Sequence, residues 1–416
     1  MEENSHSIII IITQLSLCLF LFTAIRHYSR KSLLPSEAWI LISGVIYGIA
    51  SRFTDVKWIP DISMTPDVVF FLFLPLLIFA SGRLINTDIL KFEAVPIGLY
   101  AVVGVISTAF IIALPISLVL DIPLLHGLLL GSAVAATDPV AVGSIFQRFK
   151  MPEKLALIVE GESLFNDGTT VVLFHLISSL VLTSAAFSVT HTGLSFIWSV
   201  AGAFLLGMGM GWAVAWLLET WHDHHTFVPV TLTLILALST FLLAEDFFHV
   251  SGVVTVLMAA IVFVRKHHLR GEDERGSENA KLFGTIWDYI SVLANSFLFF
   301  ALGVETGAHS FNVTMISVFV AILVMITSRS LVVYIGGFIL RLFGHPLPFT
   351  WQNILNLGGL RGAVSAALIL MIPHDYPYRE TFLCLAFAMI SFSLILQPVL
   401  MQAYLKKAVL PENELA

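Results

Sequence analysis

The chain has 416 residues, of which 57% are hydrophobic and only 12% charged, and its mean hydropathy is +0.92. A soluble globular chain carries about 25% charged residues, so this composition excludes an ordinary water-soluble domain and points to lipid as the main solvent. The net charge of −7 implies no nucleic-acid partner, and Cys18 and Cys384, both inside apolar runs, build neither a disulfide framework nor a thiolate metal site.

Glu2 and Glu3 open the chain where a secretory signal would be basic, so residues 8–25 read as a retained first helix. A membrane span needs roughly 20 predominantly apolar residues. With polar clusters, Pro and Gly as punctuation, thirteen follow in chain order: 8–25, 36–51, 66–82, 94–119, 123–147, 153–183, 193–218, 227–245, 250–265, 282–305, 312–341, 350–372 and 379–405. Several exceed one straight crossing, which predicts breaks or tilts. The expected architecture is an all-α integral membrane unit over residues 1–416. Its longest hydrophilic stretch, Arg265 to Lys281, is expected to be a cytoplasmic loop.

The distribution of basic residues orients the chain. With the N-terminus outside, sixteen lysines and arginines fall in cytoplasmic segments and three outside; Arg329 and Arg361 lie within spans, which accounts for all 21. That asymmetry is the positive-inside pattern, with the C-terminus cytoplasmic.

Ionisable groups at mid-bilayer cost ~2.5–3.5 kcal/mol on insertion scales and default to functional roles. The fifth span carries Thr137-Asp138-Pro139, with Asp138 near the midplane. The sixth carries Glu160-Gly161-Glu162-Ser163-Leu164-Phe165-Asn166-Asp167, with Asp167 at similar depth. Arg329 and Arg361 sit within the eleventh and twelfth spans. Two carboxylates and two guanidiniums at one depth suggest one electrostatic centre.

The chemistry suits a dehydrated monovalent cation, which wants oxygen ligands. Ser163 and Asp167 are four apart, on one helix face, and Asn166 flanks them. Pro139 removes a helical hydrogen bond and frees carbonyls around Thr137, which at this depth must line a cavity or find partners. Asp138 reads either as the cap of the half-helix that follows or as an ion contact. Glu162 is expected to pair with a buried arginine, making Arg329 and Arg361 structural counter-charges. Glu160, closer to the cytoplasmic side, is a candidate for lining an entry funnel. Gly358-Gly359 interrupts the twelfth span, seven spans from the fifth and therefore antiparallel to it, and an inverted repeat with a broken helix in each half marks a midplane transport site. His175 reads as a core histidine or a proton-route residue. The cluster His222-Asp223-His224-His225, beside Trp221, reads as a solvated loop in preference to a pH sensor or a metal site.

The run AATDPVAVGSIFQRFKMPEKLALIVEGESLFNDGTTVVLF (Ala135 to Phe174) resembles the sodium/proton exchangers of the monovalent cation:proton antiporter family, electroneutral branch. GGLRGAVSAAL (Gly358 to Leu368) is similar to that family's twelfth-span motif. The resemblance implies a sodium/proton-antiporter fold with inverted repeats and crossed broken helices. Residues 123–183 and 312–405 would form the ion-translocating bundle, and 8–82 and 227–305 a scaffold through which a homodimer forms. It implies ion and proton binding at Asp167, Ser163 and Thr137, with Asp138 and Asn166 supporting, a Glu162–Arg329 ion pair, and no cofactor. Asn166 beside a single titrating Asp167 implies one cation for one proton. The chain departs from the family at Leu74-Pro75-Leu76-Leu77-Ile78-Phe79-Ala80, where Ala80 takes a glutamate's place.

The expected function is exchange of Na+, Li+ or K+ for H+ across the cell (inner) membrane by competition for Asp167 and elevator-like movement. A channel would need a repeated backbone filter, and an intramembrane hydrolase a nucleophile with a partner or a His-Glu-x-x-His zinc motif; neither signature is present. A pure receptor has no reason to bury these acids.

Overall fold

A computed structural model of the protein describes residues 2–29, 32, 34–53, 66–84, 87–138, 142, 145–146, 149–182, 189–221, 227–268, 274–309 and 313–407. Every regular element among these residues is helical. In lipid, backbone groups find no water, and a helix satisfies them within its own segment. Pro139 and the cluster His222, Asp223, His224 and His225 lie outside the described residues.

The chain starts with α1 (Glu2–Ser29) and α2 (Ser36–Ser51), followed by α3 (66–82), which opens with a π turn at Val69–Phe73 ahead of Pro75. Helix α4 (87–120) is kinked at Glu93 (φ −110, ψ 18), within the turn before Pro96, and winds as a π-helix over Leu99–Gly104. Proline removes a donor and crowds the preceding turn, which accounts for the kink. Next come α5 (Leu124–Ala133), α6 (Glu153–Leu182), α7 (Val189–Trp221), α8 (Phe227–Phe247), α9 (Gly252–His268) and α10 (Glu274–Ala308). The chain closes with α11 (Met315–Leu342), α12 (Phe349–Leu357), α13 (Ala363–Leu370) and α14 (Arg379–Lys407).

Seven helices among the described residues are long and apolar enough to cross a membrane, and shorter apolar helices include Ser36–Ser51, Val69–Gly82 and Leu124–Ala133. The hydrophilic stretch expected as a loop from Arg265 to Lys281 is largely helical: α9 runs to His268 and α10 begins at Glu274. Polar residues leave the apolar stripe but do not break helical hydrogen bonding, so hydropathy drew both helices too short at this junction.

Small residues set the closest helix crossings. Gly44 and Gly48 on α2 face Gly303 and Gly307 on α10, and a Cβ at any of the four would run into the partner's backbone. Gly207 and Gly211 of α7 meet Thr255 and Ala259 of α9 in the same way, and Gly127 and Gly131 of α5 meet Ala113 and Ala109 of α4. Without a hydrophobic drive between helices in lipid, such backbone-to-backbone contact is a main source of association. A second apolar cluster, including Tyr100, Ile158, Val333, Trp351 and Ile354, joins α4, α6, α11 and α12. It flanks the polar centre described next.

Candidate functional site

Two helices are interrupted, and the interruptions touch. Helix α5 ends at Ala133, and residues 135–138 are non-helical; the break thus begins ahead of Pro139, as expected where proline disfavours helical geometry before it. Helix α12 ends at Leu357 and α13 starts at Ala363, leaving 358–362 between them. The Asp138 amide donates to the Leu360 carbonyl at 2.8 Å, linking the two segments.

Each interruption leaves backbone carbonyls without intrahelical partners, and an arginine answers each. The Arg361 Nη1 donates to the carbonyls of Ala135 (2.6 Å) and Ala136 (3.1 Å). Arg329, from α11, donates to the Leu355 carbonyl near the end of α12, from Nε at 3.3 Å and Nη2 at 2.9 Å. A guanidinium there also meets the negative end of the helix dipole. Arg329 has a second role: Nη1 pairs with Glu162 Oε1, and Nη2 with Glu162 Oε2 at 3.1 Å. The pair is buried, with both side chains under 10% exposed. Arg361, only 1% exposed, donates to these carbonyls, and no carboxylate forms a salt bridge with it among the described residues. Arg329 thus carries the ion pair with Glu162, and Arg361 holds the carbonyls of the first interruption.

The glycines of the second interruption allow close approach. A Cβ at Gly359 would lie 2.7 Å from Arg329 Nε, and one at Gly362 would lie 2.7 Å from Asp138 Oδ2. Gly358 closes α12 with ordinary helical geometry, donating to Ile354 O at 2.8 Å. The steric requirement thus falls on Gly359 and Gly362. Gly362 escaped sequence reasoning because its contact belongs to another helix.

Helix α6 supplies the opposite wall. Ser163 Oγ donates to the Thr137 carbonyl. Asn166 grips the same residue twice: its Nδ2 donates to Thr137 Oγ1 at 2.7 Å, and its Oδ1 accepts from the Thr137 amide at 3.4 Å. Thr137, Ser163 and Asn166 are all buried. Asn166 and Ser163 together fasten the first interruption to α6. Asp167, one residue on, instead lines a cavity of about 380 Å³ together with Asp138, Ser163, Ala80, Glu160 and Gly362. The cavity extends to Arg26, Glu37, Leu84 and Asp288, at the end of the molecule where α1 and α3 finish and α2 begins. The carboxylates of Asp167 and Asp138 and the hydroxyl of Ser163 form an oxygen donor set suited to a hard monovalent cation, whereas Thr137 stands behind Ser163 and Asn166 and is not among the lining residues.

His175, eight residues beyond Asp167 on α6, packs against Phe70 in a tilted arrangement with ring centroids 4.8 Å apart, and Phe70 in turn contacts Phe241 of α8. It sits in an aromatic layer and does not line the cavity.

Comparisons with known proteins converge. A family model described as "Sodium/hydrogen exchanger, transmembrane" matches residues 17–407. The Na(+)/H(+) antiporter NhaH of Halobacillus aidingensis is 30% identical over 381 residues, covering 90% of this chain and 92% of that protein. The Na(+)/H(+) antiporter NhaG of Bacillus atrophaeus is 29% identical over 395 residues, covering 94% and 74% respectively. Among solved structures, the sodium proton antiporter MjNhaP1 from Methanocaldococcus jannaschii at pH 8 has a similar fold, with a TM-score of 0.81 at 22% identity, covering 96% of this chain and 99% of that one.

Proposed function

The chain belongs to the sodium/hydrogen exchanger family of monovalent cation:proton antiporters, which are transporters and not enzymes, and from that premise we propose that it exchanges Na+ for H+ across the cell membrane through Asp167. Li+ and K+ are the alternative cargoes. The observation that carries this reading is that Asp167 lines a cavity together with Asp138 and Ser163, whose hydroxyl also holds the Thr137 carbonyl.

An ionised carboxylate buried in a low-dielectric bundle is costly unless a positive charge accompanies it. Asp167 therefore crosses either protonated or with a cation bound, and the empty anion stays behind. Competition for one group couples the two fluxes in opposite directions. Because Asn166 is a neutral clamp on Thr137, one carboxylate carries one positive charge in each half-cycle, and exchange is electroneutral. Ser163, though it donates to the Thr137 carbonyl, keeps oxygen lone pairs for the ion.

In this reading thirteen crossings place the N-terminus outside and the C-terminus in the cytoplasm, and the cavity faces the cytoplasm. The bundle 123–183 and 312–405 moves as an elevator against the scaffold 8–82 and 227–305, which also forms a homodimer. The touching interruptions supply the rigid unit that such movement needs, since Asp138, Leu360, Arg361 and Ala135 are joined by hydrogen bonds.

The test is dissipation of a preset pH gradient in proteoliposomes by Na+, Li+ or K+, with and without an imposed membrane potential. Cation-driven proton movement that ignores the potential is the expected result. No movement with any of the three ions would overturn the exchange reading, and steep voltage dependence would overturn the one-for-one stoichiometry.

A further inference from the structure

We propose that the Glu305–Arg379 ion pair is a latch between scaffold and bundle, closed in this structure, that opens at each crossing; this deepens the exchange reading and rests on its elevator movement. Glu305 lies on α10, within the segment assigned to the scaffold, and Arg379 opens α14, within the segment assigned to the bundle. Arg379 Nη1 donates to Glu305 Oε1 at 2.8 Å, and the arginine side chain is only 6% exposed. At about 1.5 Å per residue, Glu305 stands about 25 Å along α10 from Asp288, which lines the cavity. The contact thus ties the two parts together at the end of the molecule remote from the cavity mouth.

Both partners are held in place by their own part of the molecule. Arg379 Nε donates to the Ile372 carbonyl at 3.0 Å, and the Arg379 amide donates to the Tyr376 carbonyl at 3.1 Å, which ties the arginine to the turn between α13 and α14. Tyr376 in that turn meets His126 of α5, hydroxyl to Nδ1 at 2.5 Å, so the turn belongs to the bundle. On the other side, Glu305 lies between Gly303 and Gly307, which pack directly on the backbone of α2. His309 Nδ1 donates to the Glu305 carbonyl at 2.8 Å. A guanidinium tied at Nε does not swing after a departing carboxylate, so a slide of a few ångströms between the parts breaks the pair. By contrast, Glu162–Arg329 lies within the bundle, and Arg26–Glu37 and Arg83–Asp288 lie within the scaffold, so the same slide leaves them intact. Opening strands the charge of a largely buried arginine. The latch therefore favours the form described here over the one that opens to the opposite side, and it sets the ratio of the two.

The experiment compares the protein with Glu305→Gln in oriented proteoliposomes, measuring the half-saturating Na+ concentration with Na+ presented from either side. Apparent affinity on one side scales with the fraction of molecules open to it. Na+ presented opposite the cavity should therefore half-saturate the variant at about two- to tenfold lower concentration, the shift expected from loss of a part-exposed pair. From the cavity side the value should not fall. A lower melting temperature with both values unchanged, or an equal change from both sides, would overturn the proposal by leaving the pair a purely structural contact. Should Glu305→Gln fail to fold, Glu305→Asp, one methylene shorter, must shift the same value in the same direction, and failure to do so is equally fatal. A second arm uses Glu305→Cys with Arg379→Cys, after Cys18→Ala and Cys384→Ala remove the native thiols. Bridging the pair with a bifunctional methanethiosulfonate should stop exchange, and a reductant should restore it; exchange that continues with the bridge closed would overturn the latch. Loss of all cation-driven proton movement in the unmodified protein would instead defeat the exchange reading.

Discussion

The guanidinium of Arg361 donates a hydrogen bond to the carbonyl oxygen of Ala135 at 2.6 Å, so a side chain from one interruption satisfies the backbone of the other. Together with the 2.8 Å bond from the Asp138 amide to the Leu360 carbonyl, it makes the two breaks a single element.

Arg361→Met should therefore damage folding and transport together. It strands the Ala135 and Ala136 carbonyls at a depth without bulk water, and a buried polar group left unsatisfied costs about 1–3 kcal/mol. Arg361→Lys, with a smaller donor array, should lie between Met and the native residue. The check is melting temperature in detergent beside the exchange rate in vesicles; a Met variant that melts like the native protein would show that water replaces the guanidinium.

Asp167→Asn should abolish exchange while leaving the fold intact. The amide keeps the volume of the carboxyl and its hydrogen-bonding capacity, but neither binds a cation by charge nor releases a proton. Native melting behaviour with no gradient dissipation is the expected pair of results. In the native protein, simple competition predicts that lowering pH by one unit raises the half-saturating cation concentration by about tenfold wherever the proton already dominates the site. Appreciable exchange by the asparagine variant would remove Asp167 from the mechanism.

Glu162→Gln and Arg329→Gln should each lower stability, because removing one partner of a buried pair costs about 3–5 kcal/mol by stranding the other. The double variant should lose less than the two added together. Arg329→Gln should be the worse of the singles, since it also deprives the Leu355 carbonyl of its donor. Melting temperatures of the three variants decide this, and strict additivity would mean that the pair contributes nothing as a pair.

Ala80→Glu should change cation affinity without changing the reaction. Ala80 is 3% exposed and lines the cavity that holds Asp167 and Asp138. A carboxylate there attracts a cation a few ångströms away by about 1–4 kcal/mol before its own desolvation is subtracted, at intermediate to high dielectric. The half-saturating cation concentration should fall at alkaline pH, where protons are scarce. At acid pH the gain should shrink, because the added charge attracts protons as well. Profiles across pH that superimpose on those of the native protein would place position 80 outside the ion's reach.

Much of the molecule can be read along the chain. Lipid imposes a one-dimensional code: apolar runs of helical length become helices, and a charge inside such a run must have a partner or a task. Asp138, Asp167, Glu162, Arg329 and Arg361 were visible for that reason, and the interruptions for the proline and glycines beside them. The Glu162–Arg329 contact was suggested by family resemblance and not by spacing, because 167 residues separate the two. Helix ends near polar residues were misjudged, as in α9 and α10, since hydropathy reports the surrounding solvent and not the hydrogen-bond ladder.

Other relationships depended on chain segments meeting in space. That Arg361 serves carbonyls more than 220 residues away, that Gly362 is small to admit Asp138, and that Asn166 is a clamp on Thr137 follow from the crossing of α6 with the two broken helices. Residue type shows that a group needs a partner; which partner it meets depends on helix packing. Small residues such as Gly44, Gly48, Gly303 and Gly307 set that packing through backbone contacts that carry no polarity signal of their own.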